Sequence, residues 1–248
     1  MNTTQQLLKN WTDSSPRYSG IVQAELDSFR KRAWQDLVRE NCGREGELDV
    51  LDIGTGPGFF PIILSELGWD VTAVDYTQAM VDTARANCAA AGVKADIRRG
   101  DAHALEFADA SFDLIVNRNV AWTLLDAAKA FAEWRRVLRP GGRALIFDAN
   151  WNRYLFDAQL NERYQFHMAE VARRYGPDAV PRYSEEMLAY RRNCPMCARV
   201  RPGWDLQTLA DGGWTKLICV LDIGPRVYDE QERFVNALSP MFMIVAEK

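Results

Sequence analysis

From residue 48 onward the apolar positions alternate between two rhythms. Short aliphatic and β-branched runs, LDVLDI, DVTAV, ADIRR and FDLIV, are separated by longer segments, FFPIILSEL and QAMVDTARANCAAA, with helical spacing. The first kind reads as strands and the second as crossover helices, so the alternation predicts a parallel sheet with helices on both faces. A further helix is expected over DAAKAFAEWRRVL, where Ala127, Ala130, Phe131, Trp134, Val137 and Leu138 fall on one face. Pro140-Gly141-Gly142 is expected to end that helix and turn the chain into the strand RALIFDAN.

Outside this core the rhythm changes. Residues 1–45 contain an amphipathic stretch, VQAELDSFRKRAWQDLVREN, expected to form an N-terminal helical segment covering the site. Between 150 and 203 aromatic residues crowd into helical-looking segments broken by Gly176-Pro177 and Pro181, the pattern of an inserted cap. Strand-like runs return in WTKLICVLDI and MFMIVAEK. Residues 46–149 and 204–248 therefore read as one α/β domain interrupted by the cap, and no internal repeat is visible.

Composition narrows the class. The chain has 248 residues, of which 48% are apolar and 26% charged, enough for one large core with an appended subdomain. A net charge of −4 gives no overall attraction for a polyanion, so nucleic acid is disfavoured as a partner. No apolar run approaches a membrane span, and the first twenty positions are too polar for a signal peptide. The five sparse cysteines read as reduced thiols, and the expected location is cytoplasmic.

The chemistry concentrates in Val50-Leu51-Asp52-Ile53-Gly54-Thr55-Gly56-Pro57-Gly58, a strand entering a glycine loop and then a helix. Glycines there allow positive φ and close backbone approach, and the helix offers free N–H groups. A dinucleotide fingerprint needs a small third residue where Phe59 stands, and a phosphate-binding loop needs Lys and Ser/Thr after its last glycine; neither pattern is met. Asp75 closes the next strand, where a carboxylate can accept both hydrogen bonds of a ribose diol. Asp101 ends the third strand, where it can accept from an exocyclic adenine amine. Carboxyl ends of parallel strands face one crevice, so Asp52, the loop, Asp75 and Asp101 should line a single adenosine-shaped site.

With these residues in place, D-I-G-T-G-P-G, the strand-terminal Asp75, Gly100-Asp101 and the later L-R-P-G-G-R resemble the class I S-adenosylmethionine-dependent methyltransferases, in particular the small-molecule, quinone-biosynthesis-like type 11 branch. The resemblance covers about 47–148. It implies an α/β, Rossmann-like seven-stranded sheet with the last strand antiparallel, and S-adenosyl-L-methionine as cofactor with S-adenosyl-L-homocysteine as product. By that similarity Asp52, Gly54, Thr55 and Gly56 hold the methionine end, Asp75 the ribose, and Asp101 with Ala102 the adenine, with Tyr76 and Met80 packed on its ring. Tyr18 falls where relatives place a tyrosine near the cofactor carboxylate. Asn117 and Arg118, ending the fourth strand, are expected beside the cofactor.

Methyl transfer from a sulfonium is an in-line displacement that needs orientation, exclusion of water and sometimes a base. Asn117-Arg118-Asn119-Val120 replaces the Asn/Asp-Pro-Pro-aromatic motif of the enzymes that methylate planar amides and base amines, which points away from those acceptors. Trp122, Trp151, Tyr154 and Tyr164 are expected in the acceptor pocket, and Asp148 and His167 are the candidate catalytic bases. The cap carries nine Arg and six acids, a hint of an anionic acceptor that solvated arginines would equally explain.

Cys194-Pro-Met-Cys197 could be half of a zinc site, a redox pair, a thiophilic site such as one for arsenic, or two unrelated thiols. With no second C-x-x-C and two histidines in the chain, no metal is expected. The expected function is methyl transfer to a small-molecule acceptor, with a homodimer as one assembly. The competing readings are an RNA methyltransferase using the arginine-bearing cap and a non-catalytic S-adenosylmethionine-binding sensor or partner subunit.

Overall fold

The computed structural model describes residues 2–248. Two helices, α1 (Thr3–Leu26) and α2 (Arg30–Asn41), precede the alternating unit β1 (Asp49–Ile53), α3 (Phe59–Ser65), β2 (Asp70–Asp75), α4 (Gln78–Ala90), β3 (Asp96–Arg99), β4 (Phe112–Arg118), α5 (Ala127–Val137) and β5 (Leu138–Asp148). The chain continues through α6 (Ala158–Tyr175), α7 (Glu185–Asn193) and α8 (Gly203–Asp211) to β6 (Lys216–Val220), α9 (Gly224–Val227), α10 (Glu230–Val235) and β7 (Phe242–Glu247).

The strands form one seven-stranded sheet in the order β3-β2-β1-β4-β5-β7-β6. β1 to β5 run parallel, and β7 enters antiparallel between β5 and β6. The order reverses beside β1, where β2 lies on one side and β4 on the other, so the crevice at their carboxyl ends is the natural ligand position.

Period-two alternation divides the strand side chains between two apolar layers. On one face Val50, Val116 and Phe147 pack with α2 and α3. Trp34 meets Phe147 and Phe60 edge to face there, with centroids 4.9 and 5.7 Å apart. On the other face Leu51, Ile115 and Ile146 meet Phe131 and Trp134 of α5 and Leu209 of α8. Removing a buried indole such as Trp34 would cost about 3–5 kcal/mol.

Two elements depart from expectation. The amphipathic stretch after Val22 is broken at Asp27–Phe29, because Ser28 turns back on the backbone. Its hydroxyl donates to the Glu25 carbonyl at 2.8 Å and accepts from Arg30 N–H at 3.2 Å, a local bond that competes with helix continuation. Pro140-Gly141-Gly142 does not precede β5 but lies within it. Residues 139–142 loop out opposite Asp113, since Leu138 pairs with Phe112 and Arg143 with Leu114. A Cβ on Gly142 would stand 2.9 Å from the carbonyl oxygens of Asp113 and Arg139, and the bulge is pinned by Arg44 and Arg139, both paired with Asp113.

Candidate active site

The loop after β1 is bent by glycines. Gly54 (φ +73°), Gly56 (φ +52°) and Gly58 (φ +91°) lie in the left-handed region, and a Cβ on Gly54 would stand 2.3 Å from a Val120 methyl. The N–H groups of Gly54 and Thr55 both donate to the Val74 carbonyl, at 2.8 and 3.0 Å, which locks the loop onto β2. Asp75, ending β2, accepts from Gly56 N–H at 3.0 Å through one oxygen and from Thr77 N–H at 2.8 Å through the other.

Asp52 is 1% exposed, and among the described residues neither its Oδ2 nor the buried Thr55 hydroxyl has a hydrogen-bond partner. Burial pushes the Asp52 carboxyl up to about 7, with Thr55 and Arg118 acting in the opposite direction. Burial also raises Asp75, against the hydrogen bonds from Thr77 and Gly56. An acidic site this desolvated is set to receive a cation or a hydrogen-bond donor.

At the far end Asp101 accepts from His103 N–H at 2.9 Å and lies 2.7 Å from its Nδ1, while His103 Nε2 accepts from Asp126 N–H at 3.3 Å. These partners assign the imidazole proton to Nδ1. Burial works to raise Asp101, but the His103 backbone and ring prevail and hold it below the ordinary carboxylate value.

Between these ends lies a cavity of about 720 Å³. Helix α1 forms one wall, with Trp11 edge-on to Tyr18 and to Trp122 at centroid distances of 5.5 and 6.1 Å. Glu25, near its end, holds Arg118 in a two-armed pair at 3.0 and 2.8 Å, and the guanidinium lies 4.4 Å from the Phe59 ring centroid.

The cavity brings together most of the residues singled out from sequence: Tyr18, Asp52, Gly54, Thr55, Gly56, Asp75, Tyr76, Met80, Asp101, Ala102 and Arg118, with Trp122 and Trp151. The other five stand elsewhere. Asn117 is wholly buried between β4 and β5, its amide 3.4 Å from the Leu145 carbonyl. Asp148 is also wholly buried, with both oxygens occupied. It accepts from the N–H groups of Trp122 (2.9 Å) and Ala149 (2.8 Å) and from the Trp151 indole (3.0 Å), and it pairs with Arg201 at 2.9 Å. A carboxylate so engaged has no free lone pair facing an acceptor, so the structure corrects its reading as a base. His167 ties α6 to the Phe234 carbonyl through Nε2 at 2.8 Å, outside the cavity wall, which corrects its reading in the same way. Tyr154 and Tyr164 stack on each other with centroids 4.0 Å apart and do not form the wall.

Sequence reasoning missed Glu25, Tyr183, Arg191 and Tyr228, which also line the cavity. The alternation of the core carries no signal for them, because each reaches the site from a helix or loop remote in sequence. Cys194 and Cys197 are buried behind Trp122 with Tyr190, and Asn152 Nδ2 lies 3.2 Å from the Cys197 sulfur. Among the described residues no group of three or more His, Cys, Asp or Glu side chains is arranged to hold a metal ion. The cap's basic excess is largely neutralised: Arg153, Arg173, Arg174, Arg182 and Arg201 each pair with an acid.

The donor set fits S-adenosylmethionine. The unpartnered Asp52 oxygen and Thr55 hydroxyl suit the α-amino end, and Asp75 and Asp101 stand at strand ends suited to ribose and adenine. Comparison with known proteins agrees. Residues 51–146 match the methyltransferase domain family. The chain is 31% identical over 157 residues to a ubiquinone biosynthesis O-methyltransferase of Sinorhizobium medicae, an alignment covering 60% of this chain and 62% of that one. The chain thus spans about three fifths of that relative's length.

Two crystal structures share the fold. One, from Methanococcus maripaludis, is described as a candidate S-adenosyl-L-methionine-dependent methyltransferase; it superposes with a TM-score of 0.63 at 21% identity, covering 96% of this chain and 93% of its own. The other is the geranyl diphosphate C-methyltransferase of Streptomyces coelicolor, solved with Mg²⁺, geranyl diphosphate and S-adenosyl-L-homocysteine. It superposes with a TM-score of 0.60 at 16% identity, covering 93% and 83%. The fold is that of the Rossmann-like methyltransferases. The segment at its centre, residues 51–146, is similar to the methyltransferase domain family.

Proposed function

We propose that this chain transfers a methyl group from S-adenosyl-L-methionine to a small-molecule acceptor. The observation that carries the reading is the buried, unpartnered Asp52 oxygen beside a glycine loop fixed to Asp75. Asp52, Gly54, Thr55 and Gly56 would hold the methionine end, Asp75 the ribose, and Asp101 with Ala102, Tyr76 and Met80 the adenine. Tyr18, whose hydroxyl is raised by burial with Arg118 among the charges opposing it, would stand near the cofactor carboxylate. When bound, the cofactor supplies an activated methyl on sulfur that leaves by displacement.

This chain's contribution is to orient and enclose. Trp11, Trp122 and Trp151 line the cavity, and their apolar rings would flank an acceptor and keep water from it. With Asp148 and His167 engaged elsewhere, the reading assigns no dedicated base and relies on an acceptor that is nucleophilic as bound. The five free cysteines support a cytoplasmic setting. No helix among the described residues is long and apolar enough to cross a membrane.

Isothermal calorimetry with S-adenosyl-L-homocysteine tests the binding. Micromolar affinity is expected for the wild type, with a loss of at least about tenfold in Asp75→Ala, the scale of one charge-assisted bond pair. Nicotinamide dinucleotide should give no heat. Transfer of labelled methyl from the cofactor into a small-molecule extract, insensitive to RNase, tests the activity. Label recovered only in RNA would reject the proposed acceptor class.

A further inference from the structure

Two arginines line the cavity, and they are used differently. Arg118 is answered by Glu25. Among the described residues no carboxylate lies within ion-pair distance of Arg191, on α7, and its Nε is buried without a hydrogen-bond partner. Its guanidinium carbon lies over the Tyr183 ring, 3.6 Å from the centroid, and 5.7 Å from the centroid of Trp122. Stacking of this kind fixes the plane of the fork and leaves its edge as a directed pair of donors.

Resting on the methyltransferase reading, we propose that Arg191 is the anchor for the acceptor, and that the acceptor is a flat aromatic molecule bearing a single carboxylate. The tryptophan walls Trp11, Trp122 and Trp151 call for a planar ring. A guanidinium with no carboxylate partner calls for an anion, and its planar fork matches the two oxygens of a carboxylate. A diphosphate or other polyanion is a poor match. Apart from Arg191 and the paired Arg118, the lining carries Lys129 as its only other side chain of permanent positive charge, against Glu25, Glu232, Asp52, Asp75, Asp101 and Asp126. The formal balance of the lining is negative, so the one guanidinium without a carboxylate partner can balance a single negative charge and no more. Arg191 is thus a specificity-determining residue, and it acts from the cap rather than from the cofactor loop.

The test is a binding comparison in the presence of saturating S-adenosyl-L-homocysteine, read by quenching of the tryptophans that line the cavity. The probes are 4-hydroxybenzoate, 4-hydroxybenzamide and phenyl phosphate. The wild type should bind the carboxylate at least about tenfold more tightly than the amide, and more tightly than the phosphate. Arg191→Gln should abolish the acid-over-amide preference, and Arg191→Lys, which keeps charge but not the fork, should restore part of it. Calorimetry should give both variants the wild-type affinity for S-adenosyl-L-homocysteine, within about threefold, which also certifies their folding.

Equal binding of acid and amide by the wild type would overturn the proposal, as would an unchanged preference in Arg191→Gln. Preference for the phosphate would overturn the carboxylate assignment. Loss of S-adenosyl-L-homocysteine binding in Arg191→Gln, with a wild-type melting temperature, would assign Arg191 to the cofactor instead. Failure of the wild type to bind S-adenosyl-L-homocysteine at all would defeat the methyltransferase reading itself, a result separate from these.

Discussion

Asp148 and Trp151 are joined by a bond from the indole N–H to the carboxylate, 3.0 Å long, while the same carboxylate accepts the Trp122 backbone N–H at 2.9 Å. One buried side chain thus sets the position of two aromatic walls of the cavity, and Arg201, itself held by Asp205, neutralises it. Asp148→Ala would leave Arg201 with one partner and both indole-bearing segments untethered. A loss of about 3–5 kcal/mol is expected in urea denaturation. Asp148→Asn keeps one acceptor and should lose less, with a shifted tryptophan emission and an S-adenosyl-L-homocysteine affinity within about threefold of wild type. A base would behave otherwise: Asp148→Asn would keep the wild-type emission and stability.

Proton release should accompany cofactor binding. The Asp52 carboxyl stands at about 7 because it is buried, and a cationic α-amino group beside it would lower that value. Affinity for S-adenosyl-L-homocysteine should therefore rise as pH rises from about 5 to about 7, and then fall above about 8 as the ligand's own amine loses its charge. In the free protein the sign is opposite. A carboxyl raised on folding adds stability below its unfolded value near 3.8, and that contribution is lost as pH climbs through about 7. Calorimetry at pH 6 in two buffers of different ionisation enthalpy should detect a released proton in the wild type and less release in Asp52→Asn.

The loop side of the cavity was legible because its parts are local. Asp75 ends β2, Asp52 is one residue from the end of β1 and Asp101 lies just past β3, and parallel strands deliver their ends to one edge without further information. The side formed by α1 and α7 was not. Arg191 and Glu25 reach the cavity from helices whose placement depends on packing, and no periodicity encodes which neighbour a charged side chain will find. Asp148 shows the limit of the strand-end rule. Its position on β5 was readable, but its neutralisation by Arg201, 53 residues later, was not. The break at Ser28 and the bulge at residues 139–142 likewise turn on single side-chain and backbone contacts that amphipathic pattern does not register.

The three loop glycines should fail in different ways. Gly54→Ala combines positive φ with a contact of 2.3 Å to Val120, so both stability and binding should suffer, stability by about 1–3 kcal/mol. Gly56→Ala meets no atom within 4 Å, and its Cβ would enter space beside the cavity lining. Its folding cost should be about 1 kcal/mol, from φ alone, with S-adenosyl-L-homocysteine affinity falling at least about tenfold. Gly58→Ala, 3.2 Å from Ala84 of α4, should lose stability with little direct effect on the ligand. Thermal melts with and without S-adenosyl-L-homocysteine separate the three.

The pair between Glu25 and Arg118 should govern whether α1 stays over the cavity. Arg118 is enclosed by Phe59, Trp34 and Phe60, and Glu25 lies 3.7 Å from Arg30 as well. The attraction of Glu25 outweighs the burial that would lower Arg118, so the guanidinium keeps its charge and cannot do without a partner. Glu25→Gln should therefore cost about 3–5 kcal/mol, and hydrogen exchange should accelerate in α1 before it does in β1 or α3. Removing both charges in Glu25→Leu with Arg118→Met should cost less than Glu25→Gln alone, since no unpaired cation is left behind. A double variant as unstable as the sum of its two single changes would mean that the pair holds nothing together and that α1 is retained by its packing against α4 and α7.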